Sequence, residues 1–442
     1  MSIGIRRLIF AFFLVFFAIM APILVLYTAG YRLNISDGIL TRTGVLSVET
    51  TPKGAAIFLD GEDTGEISTI IFKHLLPGEH LLTISKEGYH AWEDTIEISE
   101  GLTTTINHLL LFLENDPTLT FKKQISAIAP HPSGSLVAYT VDSIDLRELW
   151  LYDSSNQIQT QLLQTPIATA VDEITIDWSS EGTYLLFSDA KGGIKKIYQS
   201  TGEEISLPTI AQEADFLSWH PSDDRILTVV HGEAVTQIDL TNGREALVSE
   251  ADSSLTLLDA SILSFVDNGT YVELRQLIGA QQNLIALLPR SAYDVALRDG
   301  QYLVLTNASH GFLLLDLTAD QPILLESRGT LFDWLDSESA LLWSDGYEIN
   351  LYTPTSHETT FILRQSETIT NIVWHPSGDA ILFSTAHALR AIDRYLLGTE
   401  RQMTTLLEGA NLERVWMEKH GKYFYFLGTN QDETGLFELP LR

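Results

Sequence analysis

The most conspicuous hydrophobic pattern lies near the start of the chain. From Leu8 to Tyr27 the sequence reads LIFAFFLVFFAIMAPILVLY, twenty residues without a charge. As a helix rising about 1.5 Å per residue, this run spans a hydrocarbon core of roughly 30 Å. It has no polar face, so a single-pass transmembrane helix is expected rather than a core helix of a soluble fold. Arg6 and Arg7 precede the run, and no acidic residue occurs before Asp37. That charge bias keeps the N-terminus in the cytoplasm and places everything after residue 31 outside, although Arg32 and Arg42 on the far side weaken it. The rival reading is a cleaved signal peptide, whose apolar region runs about 7–15 residues to a small-x-small site. Tyr27-Thr28-Ala29 fits such a site poorly. Pro22 can sit within the helix, because in lipid neighbouring groups re-satisfy the lost backbone bond.

After a linker at 32–43, the period changes from helical to two. Alternating runs occur at Val45–Thr50, Ala55–Leu59, Thr69–Lys73, His80–Ser85, Trp92–Ile98 and Thr103–Leu113. Turn formers such as Thr51-Pro52-Lys53-Gly54, Leu59-Asp60-Gly61 and Leu76-Pro77-Gly78 separate them, and the pattern predicts a small antiparallel β-sandwich over 44–114. The stretches TPKGAAIFLDGEDTG (Thr51–Gly65) and LLPGEHLLTISKEGYHAWEDTIEI (Leu75–Ile98) resemble the PEGA domain, a module of bacterial and archaeal surface proteins. One departure is that Gly65 is followed by Glu66-Ile67-Ser68-Thr69 where the family usually has Thr-Pro. The resemblance implies an envelope setting and brings no catalytic residues. His80 and Tyr89, each where a strand meets a turn, are expected to be structural.

Beyond Pro117 the chain repeats. Segments such as PHPSGSLVAYT, WSSEGTYLLFS, WHPSDDRILTV, WHPSGDAILFS and WMEKHGKYFYF align on an aromatic residue followed by a turn. The aligned turn positions are Gly134, Gly182, Asp223, Gly269, Gly300, Glu338, Gly378 and Gly421. A period near forty residues, with one strand before the turn, one after it and a third beyond, is that of a propeller blade. The shortest interval, between Gly269 and Gly300, leaves the fourth blade little room for an outer strand. Residues 118–442 resemble the TolB-like and WD40-like propeller repeats, whose first strand commonly ends in Trp-Ser-Pro-Asp-Gly. Only Pro132, Pro221 and Pro376 keep that proline. The expected fold is therefore all-β apart from one N-terminal transmembrane helix: a small PEGA-like β-sandwich followed by a seven- or eight-bladed β-propeller, eight being preferred. Thr118–Lys123 is expected to pair with the last strand and close the ring.

Composition narrows the function. The chain has 442 residues with 58 acidic and 27 basic side chains, a formal net charge of −31. It lacks the electrostatic footprint for phosphate backbones, so nucleic acid is not an expected partner. It has no cysteine, which removes disulfides, thiolate metal sites, a cysteine nucleophile and a lipidated N-terminal cysteine. No zincin, nucleophile-elbow, Walker, dinucleotide or kinase motif is present, and no α/β-hydrolase domain follows the repeats. No catalytic residue, metal or cofactor is therefore assigned. His131, His220 and His375 share one repeat position, which points to a common turn role rather than metal binding. Carboxylate pairs such as Asp142 with Asp145, Asp223 with Asp224 and Asp432 with Glu433 lack a calcium-loop pattern.

If the ring binds a ligand, the loops between second and third strands are the expected place. The candidates are Asp142, Asp145, Asp189, Lys191, His231, Glu233, His310, Asp345, His387 and Asp432. The function expected from these features is a non-catalytic binding or scaffolding protein of the prokaryotic cell envelope. It would be anchored by Leu8–Tyr27, with envelope proteins or surface polymers as partners. An envelope glycan- or peptide-processing enzyme using channel carboxylates, and a TolB-like accessory subunit of an envelope complex, are the alternatives.

Overall fold

The structure is a computed structural model that describes residues 3–442 apart from 29, 35–38, 123–124, 168–173, 190–192, 221–222, 233, 251–254, 259–260, 279–280 and 336. The N-terminal run forms one helix, Ile3–Thr28, with Pro22 inside it. From Ile5 onward its side chains are exposed except for the half-buried Met20 and Ala21, and the helix is long and apolar enough to cross a membrane. Its C-terminal end is capped by a cation. The Arg32 guanidinium donates to the Tyr27 carbonyl at 3.0 Å and lies 3.7 Å from the centre of the Tyr27 ring, where the helix dipole is negative. The expected linker at 32–43 includes a hairpin, Tyr31–Asn34 with Ile39–Arg42.

The PEGA-like module packs two sheets face to face. One has the order Glu62–Ile67, Ala56–Leu59, Gly78–Ser85, Trp92–Ile98; the other has Ile70–Leu75, Gly44–Thr51, Thr103–Leu110. Leu46, Val48, Ile57, Leu82, Ile84 and Ile96 fill the space between them. Two sequence expectations are corrected here. The sandwich is not wholly antiparallel, because Gly44–Thr51 and Thr103–Leu110 run parallel, with Val48 opposite Ile106. Alternation fixes which face is buried but carries no information on strand direction, and these two strands have no shared hairpin to impose it. The strand Glu62–Ile67 was not expected at all. It lies at a sheet edge with mostly exposed side chains, so no apolar alternation marks it.

Among the described residues, the repeat region forms eight four-stranded antiparallel sheets. In chain order they cover 125–166, 174–205, 216–250, 255–289, 293–328, 331–364, 371–408 and 411–440, and the last sheet takes Thr118–Phe121 as its fourth strand. Second strands such as Ala340–Ser344 and Ala380–Ser384 are buried throughout. They read as continuous apolar runs because a neighbouring sheet covers each face.

The eighth sheet closes on the first. Thr118 lies opposite Glu438 and Phe121 opposite Leu436. Phe121, Tyr139, Trp416 and Tyr425 then share one core cluster across the junction. The fourth sheet departs from the aligned repeat. It takes Leu255–Leu258 ahead of the motif, so the Gly269 turn joins its second and third strands instead of its first and second. The short interval before Gly300 therefore does not cost the sheet a strand.

Candidate functional site

Of the described candidates, Asp145, His310, Asp345, His387 and Asp432 lie in the loops between second and third strands, while Asp142, Asp189 and His231 are the last residues of second strands. Some are held by their own hairpin and others by a neighbouring segment. Asp142 accepts two hydrogen bonds from the buried Arg147, at 2.7 and 2.6 Å. That guanidinium holds the Asp142 carboxyl below its ordinary range. Asp345 Oδ1 accepts the N–H groups of Tyr347 and Glu348, both at 2.8 Å. His231 Nδ1 donates to the Glu213 carbonyl at 2.8 Å. Asp189 is fully buried at the end of its strand. His310 and Asp432 adopt left-handed backbone conformations that shape their turns. Asp145 and His387 are tied through their carbonyls, to Ile167 N and Gly409 N. Lys191 and Glu233 lie outside the described residues. Spread over seven hairpins, these side chains make turns more than they make one site.

The histidines of the repeat have a clear mechanical role. His375 Nε2 donates to the Gly421 carbonyl at 3.1 Å, while its Nδ1 accepts the Ser377 N–H at 3.2 Å. His131 repeats the arrangement with Gly182 and Ser133, at 2.9 Å each. Each imidazole thus joins its own turn to the turn of the next sheet. Burial pushes the His375 pKa down to about 4. Asp224 acts similarly, accepting from Ser180 Oγ, Glu181 N and Thr183 N of the preceding sheet. Among the described residues, no group of three His, Asp or Glu side chains comes together to hold a metal.

A Cβ on Gly421 would sit 2.3 Å from His375 Nε2, and the φ there is +65°. Left-handed strain and overpacking together give Gly421→Ala an expected cost of about 3 kcal/mol. Thermal denaturation of the variant checks this, and an unchanged melting temperature would show that the histidine contact is dispensable.

A cavity of about 630 Å³ lies elsewhere. First strands of the sixth, seventh and eighth sheets line it, with Trp334, Trp374 and Trp416 at equivalent repeat positions, and Pro132, Pro376 and Lys419 come from the turns. Asp333 ties two of these strands together. Its Oδ1 accepts Trp334 N at 3.0 Å and its Oδ2 accepts Trp374 N at 2.6 Å. The three indole Nε1 atoms are buried and have no hydrogen-bond partner among the described residues. Trp178 and Trp219, their equivalents in the second and third sheets, donate to the carbonyls of Ala129 and Asp177, at 2.9 and 3.2 Å.

The second feature that sequence reasoning missed is the seam between the module and the ring. Trp92 Nε1 donates to Asp393 Oδ2 at 2.9 Å, with both groups buried. Asp94 accepts from Thr399 Oγ1 at 3.1 Å and from Glu400 N at 3.4 Å. Leu110 and Phe112 enter the core of the last two sheets, and Leu113 N donates to Leu441 O at 3.0 Å. His108 and Asp379 add a contact of 2.8 Å at the margin. Burial raises the Asp393 pKa to about 7; the Trp92 N–H and Arg401 oppose the rise and the neighbouring Asp94 adds to it. One signal was readable. In Trp92–Ile98 an aspartate occupies a position on the buried face between Trp92 and Ile96, and a carboxylate there needs a partner.

Comparison with known proteins agrees with this division. Residues 43–111 match the PEGA domain family. No curated protein matches the sequence. Among solved structures, the chain is similar to the Dos1 propeller, at 12% identity and a TM-score of 0.50, over 74% of this chain and 96% of that one. Sqt1 of Saccharomyces cerevisiae is similar at 12% identity and 0.48, over 74% and 98%. BamB from Moraxella catarrhalis is similar at 13% identity and 0.43, over 74% and 99%. At such identities the Dos1 likeness speaks to fold alone. The ring is propeller-like, and the PEGA match covers the module joined to it.

Proposed function

We propose that this chain is a membrane-anchored, extracytoplasmic scaffold of the cell envelope, in which a PEGA-like spacer holds an eight-bladed propeller as a non-catalytic, protein-binding surface. The observation that carries this reading is the seam. Buried hydrogen bonds and shared apolar packing join the module to the last two sheets, so the ring is held in one orientation instead of swinging on a linker. A fixed orientation suits the display of a surface to other membrane components. The exposed apolar helix supports anchoring, and the PEGA match supports an envelope setting. The acidic surface suits a protein partner better than an anionic polymer.

Because the chain has no native cysteine, one variant tests both placement and role. Ser309→Cys lies at an exposed turn and should react with a membrane-impermeant maleimide on intact cells. Immobilised through that thiol in detergent, the full chain should retain one dominant envelope protein. Labelling only after permeabilisation overturns the placement. Retention of glycan or peptide fragments without a protein overturns the scaffold in favour of an envelope-processing enzyme.

A further inference from the structure

The two ends of the PEGA-like module have different neighbours. Gly44 lies opposite Leu75, Val45 beside Thr103 and Gly78 opposite Ile98 at one end, while Ile84 opposite Trp92 and Thr51 beside Leu110 mark the other. The second end is the seam with the ring. The first receives the apolar helix through a short run of backbone ties. Gly30 N donates to the Tyr27 carbonyl at 3.2 Å, and the Gly30 carbonyl accepts Thr43 N at 3.0 Å and Thr43 Oγ1 at 2.8 Å. The Thr43 carbonyl accepts Gly101 N at 3.3 Å, and Val45 N donates to Leu102 O at 3.0 Å. The helix end and the loop at 99–102 thus share one hydrogen-bonded corner, so a membrane crossed by the helix lies next to this end of the module.

That end exposes leucines from three separate segments. Leu102 in the loop is 65% exposed, Leu40 in the hairpin 48% and Leu76 in the turn before Gly78 39%. Single exposed leucines are ordinary, but three at the end from which the helix emerges form an apolar rim. Tyr27, exposed in the last turn of the helix, has the amphipathic ring of a membrane-interface residue. The charges here are mixed. Arg42 is exposed beside Gly101, where a Cβ would sit 2.8 Å from its Nη1. Arg32 caps the helix, and Glu79 and Glu100 are exposed next to Gly78 and Gly101. Charges of both signs among aliphatic tips match a phospholipid interface, with phosphates for the arginines and amines for the carboxylates. A protein partner would not require the rim to coincide with the end that carries the helix.

We propose that this end of the module docks on the membrane surface, Leu40, Leu76 and Leu102 dipping into the interface and Arg32 and Arg42 taking lipid phosphates. The proposal rests on the membrane-anchor reading and adds a height to it. The seam, and with it the ring, stands off by roughly 25 Å, the length of the eight-residue strand Gly78–Ser85 at about 3.3 Å per residue.

Single cysteines in the cysteine-free chain test it. The full chain with Leu14→Cys, Leu76→Cys, Leu102→Cys or Ser309→Cys is labelled with an environment-sensitive fluorophore. Each is reconstituted into vesicles of phosphatidylethanolamine and phosphatidylglycerol that contain lipids with a nitroxide at the top or the middle of the acyl chain. The labels at 76 and 102 should emit at shorter wavelength than the label at 309 and be quenched by the shallow nitroxide. The label at 14 should be quenched by the deep one, and the label at 309, on the ring, by neither. Arg42→Gln should lower the ratio of quenched to unquenched label at 102 about fivefold, the worth of one arginine near an anionic surface. An unchanged ratio would overturn the role of phosphate. Labels at 76 and 102 that behave like the one at 309 would overturn the docking. Labels there that are blue-shifted but unquenched would do the same and place a second copy of this chain over the rim. An unquenched label at 14 sinks the anchor itself, whereas quenching at 14 without quenching at 76 and 102 removes only the docking.

Discussion

Deleting residues 430–442 is expected to abolish cooperative melting of the whole ring, not merely to fray its last strand. The segment holds Leu436, Phe437, Leu439 and Leu441, all at most 2% exposed. Phe437 stacks on Phe426 with ring centroids 4.9 Å apart. At about 1.5–3 kcal/mol for each buried side chain, the loss is roughly 6–12 kcal/mol. A whole domain commonly has only about 5–15 kcal/mol of net stability. The deletion also strips Tyr423–Asn430 and Thr118–Phe121 of their shared partner, opening two sheet edges at the point where the ring closes. Leu441 is moreover the acceptor for Leu113 N, so the module loses one of its ties. Calorimetry on the full chain and the deletion decides the matter. A transition of equal temperature and cooperativity would mean that the last strand does not close the fold.

The second large effect is a pair of opposed pH dependences. Asp393 moves from 3.8 to about 7 on folding. The folded state keeps a proton that the unfolded chain releases, so this contribution is present in full below pH 3.8 and is lost as the pH rises through about 7. His375 moves from 6.5 to about 4. Here the unfolded chain takes the proton first, so the contribution is full above pH 6.5 and is lost as the pH falls through about 4. Each shift is worth on the order of 3–4 kcal/mol, and between pH 4 and 6.5 the two slopes cancel. The wild type should therefore show nearly flat stability across that window. Asp393→Asn keeps an acceptor for Trp92 but removes the charge, and its stability should rise by on the order of 3 kcal/mol from pH 4 to 6.5. His375→Gln should fall over the same range. Urea denaturation at the two ends of the window measures all three. Parallel profiles would show that neither group is protonated in the way its burial implies.

Legibility followed the range of the interaction. The histidine turns were readable because His131 and His375 recur at one repeat position, and repetition is a property of sequence. Their partners, Gly182 and Gly421, were marked as the aligned turn positions of the following repeats. The pairing of Thr118–Phe121 with the last strand was readable for another reason: the eighth repeat lacked a fourth strand and the segment before the first had no sheet of its own. Which residues meet across the seam was not readable, even though Asp94 on a buried face signalled that a partner was needed. Trp92 and Asp393 are 301 positions apart, and nothing local in Ala391-Ile392-Asp393 names an indole as its partner. The binding candidates fared likewise, since a polar residue in a tight turn looks the same whether it caps that turn, as Asp345 does, or faces a ligand.

The sequence by itself determined the apolar helix, the two periods and the repeat. These follow from spacing and composition, which a chain carries whether or not it is folded. Only the tertiary structure decided that the first and last strands of the module run parallel, that a strand ahead of the motif completes the fourth sheet, and that two buried aspartates join the module to the ring. It also decided that, among the described residues, three indoles of one repeat position are left without acceptors while two others are satisfied. Identical residues at equivalent positions differ there because hydrogen bonding depends on the placement of the neighbouring sheet, which is set by packing around the whole ring.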